Sequence, residues 1–204
     1  MKIVPAAEAV AGIRSRDQVY VHCAAAAPSV LLDALIARAP ELTDVGVIHL
    51  HIEGPGPHLA PAMAGHFRHR AIFIGPNARQ AVRERRADYV PVFLSDVPRL
   101  FESGALPLDA VLVNATPPDA HGFCSLGTSV EAIHAAIRAA RTVIVQFNAA
   151  MPRTLGDSFI HVNDIDLAVD VDVPPYERPI GEIGERRVGK ECWITCRSRW
   201  SPYH

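Results

Sequence analysis

The sequence predicts an α/β protein with an open, mostly parallel sheet and helices on both faces. Short apolar stretches alternate with helical patterns at the spacing of βα units along most of the 204 residues. One stretch, residues 109–115 (DAVLVNA), is apolar almost throughout, as expected of a strand that is covered on both faces. A loop containing glycines follows it directly, which is typical of ligand sites in α/β proteins.

The predicted elements alternate along the chain. Apolar and β-branched residues predict strands at 19–24, 45–50, 71–74, 89–94, 109–115 and 142–148. Helices are predicted at 28–39, 77–87, 97–103 and 129–141. In the first helix, four apolar side chains share one face: Leu31, Leu32, Leu35 and Ile36. Repeated βα units at this spacing favour a parallel sheet.

The start of the predicted helix 129–141 matches a capping box. Thr128 is suited to the N-cap position, and Glu131 follows three residues later. We therefore expect free backbone N–H groups to face the preceding loop, where they favour a carboxylate, a phosphate or a developing oxyanion.

Composition indicates a cytoplasmic globular protein. No apolar run approaches the ~20 residues of a membrane span, and Pro5 interrupts the N-terminal segment where a signal peptide needs apolar residues. The four cysteines form no disulfide framework. Residues 1–185 hold 15 basic and 21 acidic residues, a net charge of −6 without a basic stripe. We therefore expect neither nucleic acid nor membrane as a partner.

The end of the chain differs from what precedes it. We predict a domain at residues 1–179 and a non-native tail at 180–204. In the tail, ERRVGKEC resembles the translation of a sequencing-library adapter, which suggests read-through. The alternative is a metal site made by Cys192, Cys196 and His204, but CxxxC without a second ligand pair is a weak signal.

Three loops are expected to converge at one edge of the sheet, since all strand-to-helix loops of a parallel sheet emerge there. They cover residues 23–28, 114–127 and 148–157. The candidate substrate-binding residues in these loops are Ala25, Ala26, Pro28, His121, Gly122, Cys124, Ser125, Gly127, Asn148, Arg153 and Thr154.

Two kinds of chemistry are suggested by this set. His121 with Cys124 or Ser125 resembles a base with a nucleophile, but no GxSxG elbow or orienting third group accompanies them. We interpret Cys124 as a small buried residue and Ser125 as a hydrogen-bonding residue. Arg153 either clamps a carboxylate or pairs with Asp157 to shape its loop, and both interpretations stay open.

Histidines and arginines form two further clusters. His49 and His51 alternate on one strand face, and His58, His66 and His69 follow, so a metal cluster is conceivable. We favour satisfied or exposed histidines and predict no metal site. The second cluster is interpreted as a solvated helix face rather than a phosphate site; it comprises Arg68, Arg70, Arg79, Arg83, Arg85 and Arg86.

Four ordered segments carry a family resemblance: VYVHCAAAAPSVLLDAL, DYVPVFLSDVPRLFESGALPLDAVLV, PPDAHGFCSLGTSVE and VIVQFNAAMPRTLGDSFIHV. Over residues 1–179 the chain resembles the amino-terminal part of the acetyl-CoA hydrolase/transferase family, close to its 4-hydroxybutyrate CoA-transferase branch. The resemblance implies a CoA-transferase-like, Rossmann-like domain whose three loops line the first-domain side of an acyl pocket.

The resemblance also implies what the enzyme needs beyond this domain. In the family a glutamate of a second, similar domain attacks the acyl-CoA thioester, so coenzyme A is a substrate and no cofactor is expected. That domain is not found here, and Glu53 in HIEGPG does not match the catalytic motif. We expect an inactive fragment whose full-length parent binds acyl-CoA and a small carboxylate and forms a homo-oligomer. The alternative is a stand-alone, non-catalytic module that binds a small carboxylate or a nucleotide.

Overall fold

Eight strands form one parallel sheet in a computed structural model that describes residues 1–177. In chain order, the strands of the described region are β1 Lys2–Ile3, β2 Gln18–Val21, β3 Val45–His49, β4 Phe67–Ala71, β5 Ala87–Tyr89, β6 Ala110–Ala115, β7 Phe123–Ser125, β8 Thr142–Asn148, β9 Phe159–His161 and β10 Leu167–Val171. The α-helices are α1 Ala6–Ala9, α2 Ser29–Ala37, α3 Arg79–Arg83, α4 Val97–Glu102 and α5 Ile133–Ala139. Short 3-10 helices lie at Ala39–Glu41, Pro57–Leu59, Pro61–Met63, Leu94–Asp96 and Val162–Asp164.

The strand order places a topological switch between β2 and β6. The sheet runs β1-β10-β8-β6-β2-β3-β4-β5, and all its pairings are parallel. From β2 the chain proceeds to β3, β4 and β5 on one side, and from β6 to β8 and β10 on the other. Ligands of open α/β sheets bind at the carboxyl ends of the strands near such a switch. A separate antiparallel pair, β7 with β9, lies outside this sheet.

Alternation along the central strands supplies two cores, one on each face of the sheet. Val19, Val21 and Val47 pack with the leucines of α2 on one face. Tyr20 and Ile48 face the opposite side, together with Phe101 of α4 and Ile133 of α5. The rings of Tyr20 and Phe101 meet edge to face at 5.1 Å. Helices therefore cover both faces, and the predicted fold class is confirmed. Among residues 1–177, no helix combines the length and apolar character needed to cross a membrane.

The predicted elements agree best where the apolar pattern is continuous. The strand predicted at 142–148 has those bounds in the structure, and the helix at 97–103 differs from α4 by one residue. The strand predicted at 71–74 is wrong, because β4 ends at Ala71 and begins at Phe67. Its sequence, FRHRA, alternates buried and half-buried side chains, so its charged residues concealed it. The strand predicted at 89–94 is also largely wrong, because β5 spans Ala87–Tyr89 and shares only Tyr89 with it.

The predicted capping box is wrong. Helix α5 begins only at Ile133, and its N-cap residue, Ala132, provides no side-chain hydrogen bond. The Glu131 carboxylate instead accepts hydrogen bonds from Ser129 Oγ at 2.6 Å and from Tyr20 Oη at 3.3 Å. Because these partners hold Glu131 away from a cap, the expected row of N–H groups facing the loop is not formed at Ser129.

Candidate substrate site at the carboxyl edge of the sheet

The three loops predicted to converge follow three neighbouring strands. The loops at 23–28, 114–127 and 148–157 leave β2, β6 and β8, which are adjacent in the order β8-β6-β2. His22 links two of them from within the core. Its Nδ1 lies 3.1 Å from Asn114 O and its Nε2 lies 2.8 Å from Ser129 O. The ring therefore fixes the segment after β6 and β7 against the end of β2.

The loop after β2 is held against the next strand rather than left open. Ala24 adopts a left-handed φ of 52° and pairs with Ile52. Ala26 and Pro28 are buried, and Ala25 is half-buried. The first N–H groups of α2 are satisfied from within, because Gln146 Oε1 accepts hydrogen bonds from the backbone N–H groups of residues 30 and 31 at 3.0 and 3.3 Å.

Ser125 and Thr154 join the second loop to the third. Ser125 Oγ accepts hydrogen bonds from the backbone N–H groups of Thr154 at 3.0 Å and Gly127 at 3.2 Å. Thr154 Oγ1 donates to Gly127 O at 2.9 Å. Gly127 has a φ of 68°, and a β-carbon there would overlap the side chain of Met151. These contacts make the pair a brace between loops, and the Gly127 N–H is already engaged.

Cys124 does not have the properties of a nucleophile in this structure. Its side chain is fully buried, and burial raises the pKa of the thiol to about 11. A thiol with that pKa is almost entirely protonated at neutral pH. His121 is exposed, and its carbonyl oxygen lies 3.1 Å from Nε2 of His161. Gly122, in the same turn, has a φ of 84°.

Arg153 pairs with Asp119, so the alternative in which an ion pair with Asp157 shapes the loop is wrong. Arg153 Nη2 donates to Asp119 Oδ2 at 2.7 Å, and the guanidinium lies 4.8 Å from the centre of the Phe159 ring. Asp119 also accepts from the backbone N–H groups of Phe123 and His121, at 2.9 Å each. These backbone hydrogen bonds and Arg153 lower the pKa of the Asp119 carboxyl. Because the partner lies in another loop, sequence proximity was misleading.

Asn148 shapes the path of the chain after β10. Its Nδ2 donates to Val173 O at 2.8 Å. Its Oδ1 accepts from the N–H groups of Val173 and Ala150, both at 3.1 Å. This buried amide therefore joins the end of β8 to residues 171–173 as a structural contact.

A cavity of about 740 Å³ opens on the α4 and α5 face, over the carboxyl ends of β2 to β5. Its volume lies within the usual range of small-molecule sites. Its lining combines residues from five segments: Cys23, Leu50, His51, Ile52, Glu53, Ile72, Phe73, Pro76, Arg79, Tyr89, Val92, Phe93, Leu94, Ser129 and Glu131. Sequence reasoning missed most of this wall, because strand ends far apart in the chain build it together. The sequence signal for this wall was the appearance of His51 and Glu53 directly after the apolar strand β3.

Two carboxylates stand out on the cavity wall. Glu131 receives hydrogen bonds from Ser129 and Tyr20, as described above, and lies 4.0 Å from His22 Nε2. Glu53 lies 4.0 Å from His51 Nε2. Tyr20 Oη also lies 3.3 Å from Cys23 Sγ, and burial, with Glu131 nearby, raises the pKa of both groups. Tyr20 and Cys23 are therefore neutral neighbours of an acidic wall.

Large apolar side chains surround the mouth of this cavity. Phe73, Tyr89, Phe93 and Leu94 are 59%, 51%, 80% and 67% exposed. All four also line the cavity. An exposed apolar group of this kind next to a pocket is typical of a surface that another part of a protein covers.

The five histidines considered as a metal cluster lie in two places: two lie apart from each other, and three lie together. His51 lines the cavity, and His66 Nδ1 lies 2.9 Å from Leu42 O. His49, His58 and His69 instead form one buried cluster, in which His49 Nδ1, His58 Nδ1 and His69 Nε2 have no hydrogen-bond partner in the described region. The prediction of satisfied or exposed histidines holds only in part for these three, because each ring has one hydrogen-bonded nitrogen and one without a partner. The proposed tail ligands Cys192, Cys196 and His204 lie outside the described residues.

Known proteins resemble this chain over most of its length. Residues 1–174 match the family described as acetyl-CoA hydrolase/transferase N-terminal domain. The chain is 38% identical over 193 residues to the 4-hydroxybutyrate coenzyme A transferase of Clostridium kluyveri, covering 94% of this chain and 45% of that protein. It is 40% identical over 183 residues to a succinyl-CoA:acetate/propanoyl-CoA:succinate CoA transferase of Fasciola hepatica, covering 87% and 38%.

Solved structures share the fold over almost the whole chain. The 4-hydroxybutyrate CoA-transferase of Porphyromonas gingivalis has a TM-score of 0.77 at 29% identity, covering 95% of this chain and 45% of that one. RipA of Yersinia pestis has a TM-score of 0.80 at 27% identity, covering 90% and 45%. The chain thus spans less than half the length of these relatives. It belongs to the acetyl-CoA hydrolase/transferase family and carries the family's N-terminal domain.

Proposed function

We propose that this domain forms the first half of an acyl-CoA:carboxylate CoA-transferase, with the 740 Å³ cavity as its acyl pocket. The observation that carries the proposal is the position of the cavity at the carboxyl edge of the sheet, beside the β2/β6 switch. The names of the relatives, which are CoA transferases, support the reaction class. Acetyl-CoA hydrolysis differs only in that water takes the place of the acceptor carboxylate.

The chemistry requires a carboxylate nucleophile, which we place in the second half of the longer relatives. A glutamate there would attack the thioester carbonyl, form an acyl-glutamyl anhydride and release the CoA thiolate. The thiolate would then attack the glutamyl carbonyl, giving glutamyl-CoA and the free acid, and an acceptor carboxylate would reverse both steps. Glu131 is poorly suited to this role because Tyr20 and Ser129 already engage its carboxylate.

The cavity wall favours a particular class of acyl group. Leu50, Ile72 and Val92 offer apolar contact, whereas Glu53 and Glu131 offer hydrogen-bond acceptors. A hydroxyl on a short acyl chain can donate to these carboxylates, but a second carboxylate would meet like charge. We therefore propose a short hydroxyacyl group, such as 4-hydroxybutyryl, in preference to a dicarboxylic one. The names of the Clostridium and Porphyromonas relatives support this choice, whereas the Fasciola relative is named for succinyl-CoA, which carries a second carboxylate.

The candidate loop residues keep supporting roles in this proposal. Ala25, Ala26 and Pro28 lie next to Cys23 of the cavity wall, and the brace formed by Ser125, Gly127 and Thr154 holds the loop that leads to Ser129. Arg153 stabilises the same loop through Asp119. His121, Gly122, Cys124 and Asn148 shape the backbone without being needed for chemistry.

The apolar group at the cavity mouth is assigned to a contact with the second half that the longer relatives have. We propose that residues of the second domain cover Phe73, Tyr89, Phe93 and Leu94 and close the pocket around the thioester. The relatives' greater length supports this occupant, because the chain covers only 38–45% of the two relatives described above. We also propose that the full-length protein forms a homo-oligomer.

The test asks whether the source DNA encodes a longer protein and whether that protein transfers CoA. The source DNA is amplified and resequenced across the codons for residues 179–204, and both the 204-residue chain and any longer product are assayed for transfer of CoA from 4-hydroxybutyryl-CoA to acetate. We expect transfer by the longer protein and none by the 204-residue chain. If the frame ends at His204 and the chain binds acyl-CoA tightly without turnover, the stand-alone binding module replaces the proposal.

A further inference from the structure

His49, His58 and His69 bring three imidazoles together from separate elements. His49 ends β3, His69 lies within β4, and His58 belongs to the 3-10 helix Pro57–Leu59. They are 1%, 3% and 1% exposed. One ring nitrogen from each lies within 4.8 Å of those of the other two. The cluster lies on the α2 face of the sheet, since His49 continues the alternation of Val45 and Val47, and is thus behind the cavity rather than in it.

The distance between two of the three ligand atoms matches that of two ligands on a tetrahedral metal ion. Nε2 of His49 and Nε2 of His58 are 3.2 Å apart. Two nitrogens bound to one zinc ion at ~2.0–2.1 Å, in tetrahedral arrangement, are separated by ~3.3–3.4 Å. The planes of His49 and His58 are nearly perpendicular, at 87°, whereas the rings of His49 and His69 are stacked at 28° with their centres 4.2 Å apart.

The protonation of His69 also fits a ligand. Its Nδ1 lies 2.9 Å from Val47 O, which requires the proton to be on Nδ1 and leaves a lone pair on Nε2. That Nε2 is buried and has no hydrogen-bond partner in the described region. A backbone carbonyl that fixes the tautomer of a ligating histidine is the usual arrangement in metal sites.

Without a metal, the cluster is poorly satisfied. A hydrogen bond between Nε2 of His49 and Nε2 of His58 uses one proton and one lone pair, whereas Nδ1 of both rings and Nε2 of His69 have no hydrogen-bond partner in the described region. Buried polar atoms without partners are rare in native proteins.

We propose that His49, His58 and His69 bind a divalent transition-metal ion of the zinc class, each through Nε2. Three nitrogen donors without a carboxylate favour zinc, cobalt, nickel or copper over magnesium and calcium. A solvent molecule or small anion takes the fourth position. The ion would join residues 57–59 to β3 and β4 and so fix the segment 50–53, which forms part of the cavity wall, from behind. This inference does not depend on the proposed function.

The test measures metal in the full 204-residue chain. The protein is purified, stripped with a chelator, equilibrated with Zn²⁺ or Co²⁺ and dialysed, and its metal content is measured by mass spectrometry. We expect one equivalent of zinc, a higher melting temperature, and visible absorption from tetrahedral cobalt. His58→Gln and His69→Asn, checked for folding by circular dichroism, are expected to lower the affinity at least tenfold.

Two controls separate this cluster from the rest of the chain. His134→Gln changes a histidine far from the cluster, and Cys192→Ser with Cys196→Ser removes the thiols of the tail. Both are expected to retain the metal. Absence of a bound ion in the unmodified chain at micromolar zinc overturns the proposal without any variant. The same holds if the cysteine variant loses the metal while His58→Gln keeps it.

Discussion

Tyr20 Oη donates a hydrogen bond to Glu131 Oε1 at 3.3 Å, across 111 positions of sequence. The contact joins β2 to the turn before α5, directly over the switch in strand order. Glu131 lines the cavity and does not cap the N-terminus of α5. The buried hydroxyl of Tyr20 and the hydroxyl of Ser129 together hold the Glu131 carboxylate at the cavity wall.

Removing that hydroxyl is expected to weaken the fold modestly. Tyr20→Phe keeps the ring against Phe101 and deletes the donor to Glu131. A hydrogen bond to a charged group contributes about 1.5–3 kcal/mol, so we expect the free energy of unfolding to fall by about 1–3 kcal/mol. Urea titration measures it, with the exposed Tyr89→Phe as control. Equal stability of the two variants would show that the Tyr20 contact contributes nothing.

Gly127 is expected to be irreplaceable for two separable reasons. Gly127→Ala forces a residue with a β-carbon into φ 68° and against Met151. Gly156→Ala imposes a comparable backbone penalty at φ 97° but has no atom within 4 Å. Left-handed strain costs about 1–2 kcal/mol, and overpacking adds about 1–3 kcal/mol. We therefore expect Gly127→Ala to lower the melting temperature clearly more than Gly156→Ala, and a smaller effect at Gly127 would contradict the contact.

Both buried cysteines are expected to resist alkylation in the folded protein. Burial raises the pKa of the Cys124 thiol to about 11, so at pH 8 only ~0.1% is thiolate, against about a quarter for a free cysteine. The same cause raises the pKa of Cys23. In a chain carrying Cys192→Ser and Cys196→Ser, iodoacetamide labelling followed by mass spectrometry should find both unmodified at pH 8. Labelling should appear in urea, and rapid labelling of the native protein would refute the assigned burial.

The exposed apolar group at the cavity mouth is expected to bind a hydrophobic dye. Phe93 is 80% exposed and has no charge beside it in the segment PVFL. We expect the 204-residue chain to enhance the fluorescence of an anilinonaphthalene dye and to self-associate, and Phe93→Ser to reduce both about twofold or more. Ile3→Ser, at the far edge of the sheet, is the matched control. A monodisperse chain without dye binding would count against a covered surface.

The sequence was informative where one physical requirement dominates. β6 and β8 are buried on both faces, and their continuous apolar runs could be located within a residue. Their position in the sheet also made the convergence of the three loops predictable. By contrast, β4 alternates arginine and histidine with buried residues, and β1 has two residues that depend on pairing with β10. Neither has a sufficient local signal.

The candidate site was harder to predict because tertiary pairing assigns its side chains. Arg153 pairs with Asp119, 34 positions away, and not with its near neighbour Asp157. Glu131 has the spacing of a capping residue, but its carboxylate accepts a hydrogen bond from Tyr20 of β2. The histidine triad required the register of β3 with β4 and the fold of the 3-10 helix at 57–59. Single-sequence patterns do not contain these distances.

The most direct measurement fills the cavity in the longer protein for which we propose CoA transfer. Val92 lines the cavity and is only partly buried, so Val92→Trp occupies the acyl space without replacing a core residue. We predict that kcat/KM for CoA transfer from 4-hydroxybutyryl-CoA falls at least a hundredfold, while Ile3→Trp on the exposed edge strand is unaffected. Full activity of a folded Val92→Trp protein would contradict the claim that this cavity holds the acyl group.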